Sequence, residues 1–152
     1  MRVMSIDPGG TVGWADWADG RLIEQDQDEP VAFLNMLEGT IANYDHLVIE
    51  EYRLRQSSAK AMIGDTFETS QVIGAIMWMA RKQGVEVTTQ SPAFKTFWDN
   101  DKLKHLGLYV RGKDHSRDAV RHGLYWWFNG KGTQHCPQTL TDILRGYGGA
   151  KR

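Results

Sequence analysis

The stretch RVMSIDPGGTVGW, residues 2–14, decides which fold the rest of the chain can adopt. A short apolar run ends in the carboxylate of Asp7, a Pro-Gly-Gly turn follows, and a second apolar run begins at Val12. This pattern predicts a strand, a tight turn and a second strand, with Asp7 at the C-terminal end of the first. The glycines after the acid leave the backbone bare, so a phosphate or a metal-bound ligand could approach closely. An ordinary hairpin with an exposed Asp at its tip fits this stretch equally well, so other carboxylates must decide.

The length and composition indicate one globular domain, residues 1–152, with a proper core. Apolar residues make up 41% of the chain and charged residues 24%, which is ordinary for such a domain. A single cysteine, Cys136, excludes an internal disulfide and a cysteine-based zinc site. The N-terminus resembles a strand rather than a signal peptide, and no apolar run approaches the roughly 20 residues of a membrane span. We therefore expect a cytoplasmic protein with no membrane partner.

The net charge of −1 averages over two unlike parts of the chain. Residues 1–51 hold two Lys or Arg against eleven Asp or Glu, and residues 52–152 hold sixteen against eight. The net charges are therefore −9 and +8. Such asymmetry predicts a basic face beside an acidic pocket, although halves of a sequence need not correspond to faces of a fold.

Hydrophobic periodicity and turn residues divide the chain into alternating strands and helices. Strands are predicted at residues 3–6, 12–18, 21–27, 47–49 and 85–89, and helices near residues 28–41, 65–83, 91–98 and 114–128, with a basic connector at 100–112. Three meandering strands followed by helix–strand alternation predict an α/β fold with a mixed five-stranded sheet and helices on both faces. Ligands of such sheets gather at the C-terminal ends of the strands.

Acidic residues recur where they could meet Asp7. Glu50 ends the fourth predicted strand, so its carboxylate lies beside Asp7 if the two strands are parallel neighbours. His115 and Asp118 are three residues apart at the start of the last helix and so share a face of it. Asp114 is predicted to cap that helix. Each of these residues has an ordinary structural interpretation, but together they stand at the ends of elements rather than along their faces.

Three carboxylates and an imidazole at one point repel each other unless cations lie among them. Hard oxygen ligands suit Mg²⁺ or Mn²⁺. Two such ions about 4 Å apart can activate a water and stabilise the leaving oxygen in phosphodiester cleavage. The pattern therefore favours a two-metal hydrolase that acts on phosphodiesters.

These motifs resemble one known family. Ile6-Asp7-Pro8-Gly9 with Gly13 downstream, Val48-Ile49-Glu50 and His115-x-x-Asp118-Ala119 are similar to the RuvC-type Holliday junction resolvases of the RNase H-like superfamily, with phage-type members the nearest in size. The likeness covers nearly the whole chain. It implies an RNase H-like fold in a bacterial or phage-infected cell, and a homodimer that nicks four-way junctions.

The resemblance also assigns roles to residues. It implies two Mg²⁺ (or Mn²⁺) ions held by Asp7, Glu50, His115 and Asp118, with His115 in a position that some relatives fill with Asp. Glu51 is a spare ligand candidate, and Tyr52 is the nearest aromatic to the wedge that relatives carry after the Glu. A homodimer through the helix at residues 65–83 is expected, with Met79 as an exposed apolar site. The basic residues expected to contact branched DNA are Arg53, Arg55, Lys102, Lys104, Arg111, Lys113 and Arg117.

Three other functions are compatible with parts of the sequence. A YqgF-type RNA-processing nuclease also opens with an Asp-Pro-Gly strand, but the Glu50 strand end and the His-x-x-Asp-Ala helix disfavour it. An actin-like or sugar-kinase ATPase needs two such domains, which 152 residues do not supply. A non-catalytic DNA-binding module would gain nothing from carboxylates packed beside phosphates.

Overall fold

The computed structural model describes residues 1–52 and 68–136. Within them, five strands form one mixed sheet in the order β3-β2-β1-β4-β5. The strands are β1 (Arg2–Asp7), β2 (Val12–Ala18), β3 (Arg21–Asp28), β4 (His46–Glu50) and β5 (Glu86–Gln90). The first three form an antiparallel meander, and β4 and β5 continue the sheet in parallel with β1. The predicted fold class is confirmed.

The hairpin between β2 and β3 turns at Asp19-Gly20, as its sequence predicts. Asp19 has φ 49° and Gly20 φ 79°, so both central residues adopt the left-handed region. A two-residue turn with two positive φ angles matches the twist of the strands that it joins. The turn therefore fixes the β2–β3 register, in which Ala18 pairs with Arg21.

Four α-helices accompany the sheet in the described residues: α1 (Pro30–Thr40), α2 (Glu68–Gln83), α3 (Asn100–His105) and α4 (Asp114–Asn129). Short 3₁₀ segments lie at Ile41–Asn43, Pro92–Phe97 and Lys131–His135. The helix predicted after β5 is thus a 3₁₀ segment, and the predicted basic connector contains α3.

The prediction that Asp114 caps α4 is wrong, because the helix begins at Asp114 itself and Lys113 precedes it as the cap residue. The Asp114 carboxylate bonds instead to the Arg117 guanidinium one turn on.

Alternating side chains of the central strands build a core on each face of the sheet. Met4 and Ile6 on β1 pack with Leu47 and Ile49 on β4 under α1 and α2. The opposite face carries a second core that includes Trp17 and the inner side of α4. Because Asp7 alternates with Ile6, and Glu50 with Ile49, both acids belong to the face that α4 covers.

Two glycines allow α4 to lie close to the sheet. A Cβ built on Gly13 would stand 2.0 Å from the backbone oxygen of His115, and one on Gly123 would stand 2.3 Å from the indole nitrogen of Trp17. Real Cβ atoms do not approach other atoms so closely, so any larger residue would force the helix away. Gly13 therefore sets how near the start of α4 comes to the end of β1.

The apolar residues that α2 exposes differ from the one that the sequence predicts. Met79 is only 8% exposed and packs in the core with Val72 and Ile76. Trp78 is 60% exposed instead, with Met77 beside it. The prediction that Met79 is exposed is wrong. Among the described helices, none combines the length and apolar character required to cross a membrane.

Candidate active site

The ends of β1 and β4 bring two carboxylates side by side at one edge of the sheet. The strands are parallel neighbours and Ile6 pairs with Ile49, so Asp7 and Glu50 are the next residues on adjacent strands. Asp7 is only 6% exposed, whereas Glu50 is partly accessible. The predicted meeting of these two acids follows from this register.

The first turns of α4 add His115 and Asp118 to the same edge. His115 Nδ1 lies 2.8 Å from Asp7 Oδ2, and the His115 side chain is 45% exposed to solvent. Asp118 lies one turn later and faces Glu50 across a shared partner, the Lys95 ammonium. The four residues predicted to form the site therefore converge, and we call Asp7, Glu50 and Asp118 the acidic cluster.

Lys95, from the 3₁₀ segment after β5, places its ammonium within the acidic cluster. Its Nζ lies 2.8 Å from Glu50 Oε2, 2.8 Å from Asp118 Oδ2 and 3.9 Å from Asp7 Oδ1. One partly exposed ammonium thus faces all three carboxylates, which offsets much of their mutual repulsion.

Glu50 and Asp118 each have a further cationic or imidazole partner. His122, fully buried on α4, donates from Nε2 to Glu50 Oε2 at 2.7 Å, and its Nδ1 lies 2.8 Å from the amide oxygen of Gln90. The Arg121 guanidinium bonds to Asp118 and also to the backbone oxygen of Trp98, at 2.7 Å. These contacts fix the orientation of the carboxylates, as outer partners of ligand residues do.

The acids differ sharply in proton affinity. Burial raises the pKa of Asp7 to about 7, the neighbouring Glu50 charge adds to this, and Lys95 and His115 only partly oppose it. Burial would also raise the pKa of Glu50, but His122 and Lys95 outweigh it and lower the value to about 2. Burial likewise acts against the charged form of Lys95, yet Asp118 and Glu50 hold the Lys95 pKa above its ordinary value. Glu50 and Lys95 are therefore charged at neutral pH, and Asp7 is poised between its two forms.

The donor set fits a hard divalent cation. Three carboxylates and one imidazole are ligands that Mg²⁺ and Mn²⁺ accept. Within residues 1–52 and 68–136, however, no three Asp, Glu, His or Cys side chains are already grouped to hold a metal ion. The Lys95 ammonium lies between Glu50 and Asp118, so an ion bound there requires that ammonium to move.

Sequence analysis missed Lys95, His122 and Gln90. His122 lies four residues after Asp118 and seven after His115, a spacing that places all three on one helix face and could have revealed it. Gln90 ends β5 opposite Glu50 in the parallel register. Lys95 gives no comparable signal, because its contacts depend on how a 3₁₀ segment directs one long side chain.

The basic residues predicted to contact DNA occupy three kinds of position. Arg53 and Arg55 lie outside the described residues. Lys102, Lys104 and Arg111 are exposed, and Lys113 pairs with Asp26 at 2.5 Å. Arg117 is only 9% exposed, with its guanidinium bonded to the Val110 backbone oxygen and to Asp114, a position that disfavours a DNA contact.

A cleft of about 130 Å³ lies beside the acidic cluster. Its lining includes Glu50, Glu51 and Tyr52, together with Pro8 from the turn after β1. The Glu51 backbone N–H donates to the Gln90 backbone oxygen at 2.8 Å, which continues the β4–β5 pairing past Glu50. The spare ligand candidate Glu51 thus lines the space next to the site.

The sequence matches no protein-family model and no curated protein sequence. Solved structures do match. RuvC of Thermus thermophilus in complex with a Holliday junction substrate aligns with a TM-score of 0.58 at 18% identity, over 82% of this chain and 90% of that one. The Fowlpox virus resolvase, in complex with a substrate Holliday junction, aligns with a TM-score of 0.57 at 15% identity, over 83% of this chain and 96% of that one.

The strand order and these alignments show an RNase H-like fold. More specifically, the fold is the one shared by RuvC and the Fowlpox virus resolvase. At these identities the likeness concerns the fold, and the activity must be argued from the site.

Proposed function

We propose that the protein is a metal-dependent endonuclease that nicks four-way junctions or other branched DNA by two-metal-ion hydrolysis. One observation carries the proposal: the acidic cluster and His115 converge at the sheet edge of an RNase H-like fold. The similarity to two structures solved with Holliday junctions supports branched DNA as the substrate class.

Asp7, Glu50, His115 and Asp118 would hold the ions, most simply with Asp7 shared between them. When bound, two such ions activate a water and stabilise the leaving oxygen of a phosphodiester. The chain's own task is to hold the carboxylates in place, which His122 does for Glu50 and Arg121 does for Asp118. The Lys95 ammonium lies between Glu50 and Asp118, so it would have to leave that position for these carboxylates to hold an ion, and it would then be free to contact a substrate phosphate.

The exposed basic residues Lys102, Lys104 and Arg111 are proposed to bind the DNA backbone, together with Arg53 and Arg55. Phosphate contacts of this kind supply affinity without reading sequence. Lys102 and Lys104 extend from α3, directly after the segment that carries Lys95. A duplex arm on α3 would therefore continue into the acidic cluster.

We also propose a homodimer through α2. A four-way junction has two-fold symmetry, and two symmetric nicks need two active sites in fixed relation. The exposed Trp78 and Met77 on α2 supply an apolar surface that the monomer's own core leaves uncovered.

A cleavage assay tests the proposed activity. Labelled four-way, Y-shaped and linear DNA and a hairpin RNA are incubated with the protein, with and without Mg²⁺. We expect Mg²⁺-dependent nicks near the branch point of the four-way or Y-shaped DNA. Asp7→Asn should abolish nicking but leave binding intact, because affinity comes from Lys and Arg. Cutting of RNA alone, or full nicking by Asp7→Asn, would refute the proposal.

A further inference from the structure

An aromatic cluster formed by Phe94, Phe97 and Tyr125 lies on the surface next to the candidate active site. The rings of Phe94 and Tyr125 stack with centroids 4.1 Å apart and planes inclined by 14°. Phe97 meets Tyr125 edge-on at 5.0 Å, and 51% of the Phe97 side chain is exposed. Because the exposed Phe97 ring is already held against Tyr125, a ligand that stacks on it has little side-chain freedom left to remove.

The cluster is joined to the acidic cluster through two elements. Phe94 and Phe97 flank Lys95 on the 3₁₀ segment, and the Lys95 ammonium contacts the acids. Tyr125 lies seven residues after Asp118 on α4, which is two turns, or about 10 Å, along one helix face. A nucleic-acid strand with one phosphate at the acidic cluster can therefore place one of its next one or two nucleotides against the rings.

The rings are held in place from both sides. The segment Pro92–Phe97 is closed by hydrogen bonds from the Phe94 N–H to the Ser91 oxygen and from the Trp98 N–H to the Lys95 oxygen. Trp98 is buried, and its indole N–H donates to Asn129 on α4 at 3.2 Å. The aromatic cluster is thus attached to α4, the helix that carries His115 and Asp118.

Two ammonium groups border the rings. The Lys102 ammonium donates to the backbone oxygen of Phe97 at 2.7 Å, and Lys104 follows on α3. Asp99 and Asp101 pair with these lysines and balance their charge, so the lysines can act as individual phosphate donors but do not form a net positive patch. A flat apolar face bordered by ammonium groups is the combination that single-stranded nucleic-acid sites use.

We propose that Phe97, backed by Tyr125 and Phe94, stacks on an unpaired base at the branch point of the bound DNA. The inference rests on the proposed function and adds to it a contact with a base rather than with the backbone. Stacking accepts every base, because each base has an aromatic face, so the contact selects opened DNA over paired duplex without selecting sequence.

Abasic substrates test the contact directly. Four-way junctions are prepared with one base removed at each nucleotide near the branch point in turn, and affinity is measured in EDTA so that nothing is cut. We expect Phe97→Ala to weaken binding of the intact junction about tenfold. Removing the base that Phe97 contacts should weaken binding by wild type by the same factor. On that abasic junction, wild type and Phe97→Ala should bind with equal affinity.

Two control variants isolate the ring. Phe97→Tyr keeps an aromatic face and should bind within about twofold of wild type. Ile23→Ala removes a comparably exposed apolar side chain from β3 and should not change affinity.

The stacking contact alone would be refuted if wild type binds and cuts junctions and Phe97→Ala binds every junction as tightly as wild type does. If Phe97→Ala has a lower mass in solution than wild type but the same affinity for DNA, Phe97 contacts a second copy of the protein and the stacking contact is refuted. Wild type that binds no branched DNA would refute this contact and the proposed function together.

Discussion

Two carboxylates of the acidic cluster, those of Asp7 and Glu50, have different partners and so differ in proton affinity. Glu50 receives a hydrogen bond from His122 and contacts the Lys95 ammonium, whereas Asp7 is more deeply buried and lies farther from Lys95. The pKa of Glu50 is accordingly lowered to about 2 and that of Asp7 raised to about 7. Near neutral pH, Glu50 is therefore a permanent anion and Asp7 is a titrating carboxyl.

The raised pKa of Asp7 predicts that Asp7→Asn stabilises the metal-free protein at high pH. The protonated carboxyl contributes stability that is fully present below about pH 4 and lost as pH rises through about 7. Asn resembles the protonated form and does not titrate. We expect the variant to exceed wild type in free energy of unfolding by on the order of 2 kcal/mol at pH 8 and by much less near pH 4.

Thermal unfolding in EDTA at both pH values measures this difference. Asp19→Asn, an exposed acid in the β2–β3 turn, controls for general charge removal. A gain that is the same at pH 4 and pH 8 would show that Asp7 does not titrate with a raised pKa.

The buried contact between His122 and Glu50 predicts a loss of metal affinity when the imidazole is removed. His122→Ala leaves Glu50 without one of its two hydrogen-bond partners, so the carboxylate is less well oriented. We expect cleavage at limiting Mg²⁺ to fall about 10- to 100-fold, with a higher Mg²⁺ concentration needed for half-maximal rate. His105→Ala, on the exposed side of α3, should change neither quantity. A variant that is only less heat-stable, with an unchanged Mg²⁺ requirement, would reduce His122 to a packing role.

The sequence predicted the residues that stand at the ends of elements and missed those that reach the site from elsewhere. Asp7 and Glu50 follow from strand ends in a parallel sheet, and His115 and Asp118 follow from helix periodicity. Lys95 could not be found this way, because a side chain of four methylenes reaches any of several partners from one backbone position. Which partner it takes is decided by tertiary packing.

At the scale of elements, the close approach of β2 and α4 predicts that Gly13 tolerates no side chain. A Cβ there would overlap the His115 backbone oxygen, so the start of α4 would have to move away from Asp7. We expect Gly13→Ala to destabilise the protein by about 2–3 kcal/mol and to lower cleavage more than binding. Gly39→Ala is the matched control, because nothing lies within 4 Å of a Cβ at that helical position. Wild-type cleavage by Gly13→Ala would show that the approach does not position His115.

Turn and strand patterns predicted the elements better than helix periodicity predicted their faces. The Asp19-Gly20 turn and the five strands appear as expected, because turn residues and β patterns act locally. In α2 the apolar residues surround much of the helix, so periodicity alone could not tell whether Met79 or Trp78 is buried. Contacts with α1 and with the sheet decide that phase.

At the scale of the whole molecule, the exposed basic residues predict a salt-dependent affinity for DNA. Replacing Lys102 and Lys104 together with Gln removes two ammonium groups from α3. We expect binding to weaken for all sequences alike and the slope of log affinity against log salt to become shallower by about 2. Lys131→Gln, at an exposed position in the 3₁₀ segment after α4, serves as a single-charge control. An unchanged slope would show that Lys102 and Lys104 do not contact DNA phosphates.

The exposed apolar surface of α2 predicts that association depends on Trp78. We expect Trp78→Glu to give a monomer that cuts junctions poorly, because a charge would be buried in the proposed interface. Ile23→Glu, at an equally exposed apolar site on β3, should leave the mass unchanged. Mass measured by light scattering at micromolar concentration decides the question, and a monomeric wild type with full activity would contradict the homodimer.

Strand β3 is an edge strand of the sheet, and its acidic residues affect aggregation at high concentration. An edge strand presents unpaired backbone groups with which a strand of another sheet can pair, and this is a common route to aggregation. Glu24, Asp26 and Asp28 place negative charge along this strand. Two copies that meet edge to edge through β3 bring these carboxylates together, and like charges repel each other. The negative charge along β3 therefore opposes association between the sheets of two copies at high concentration.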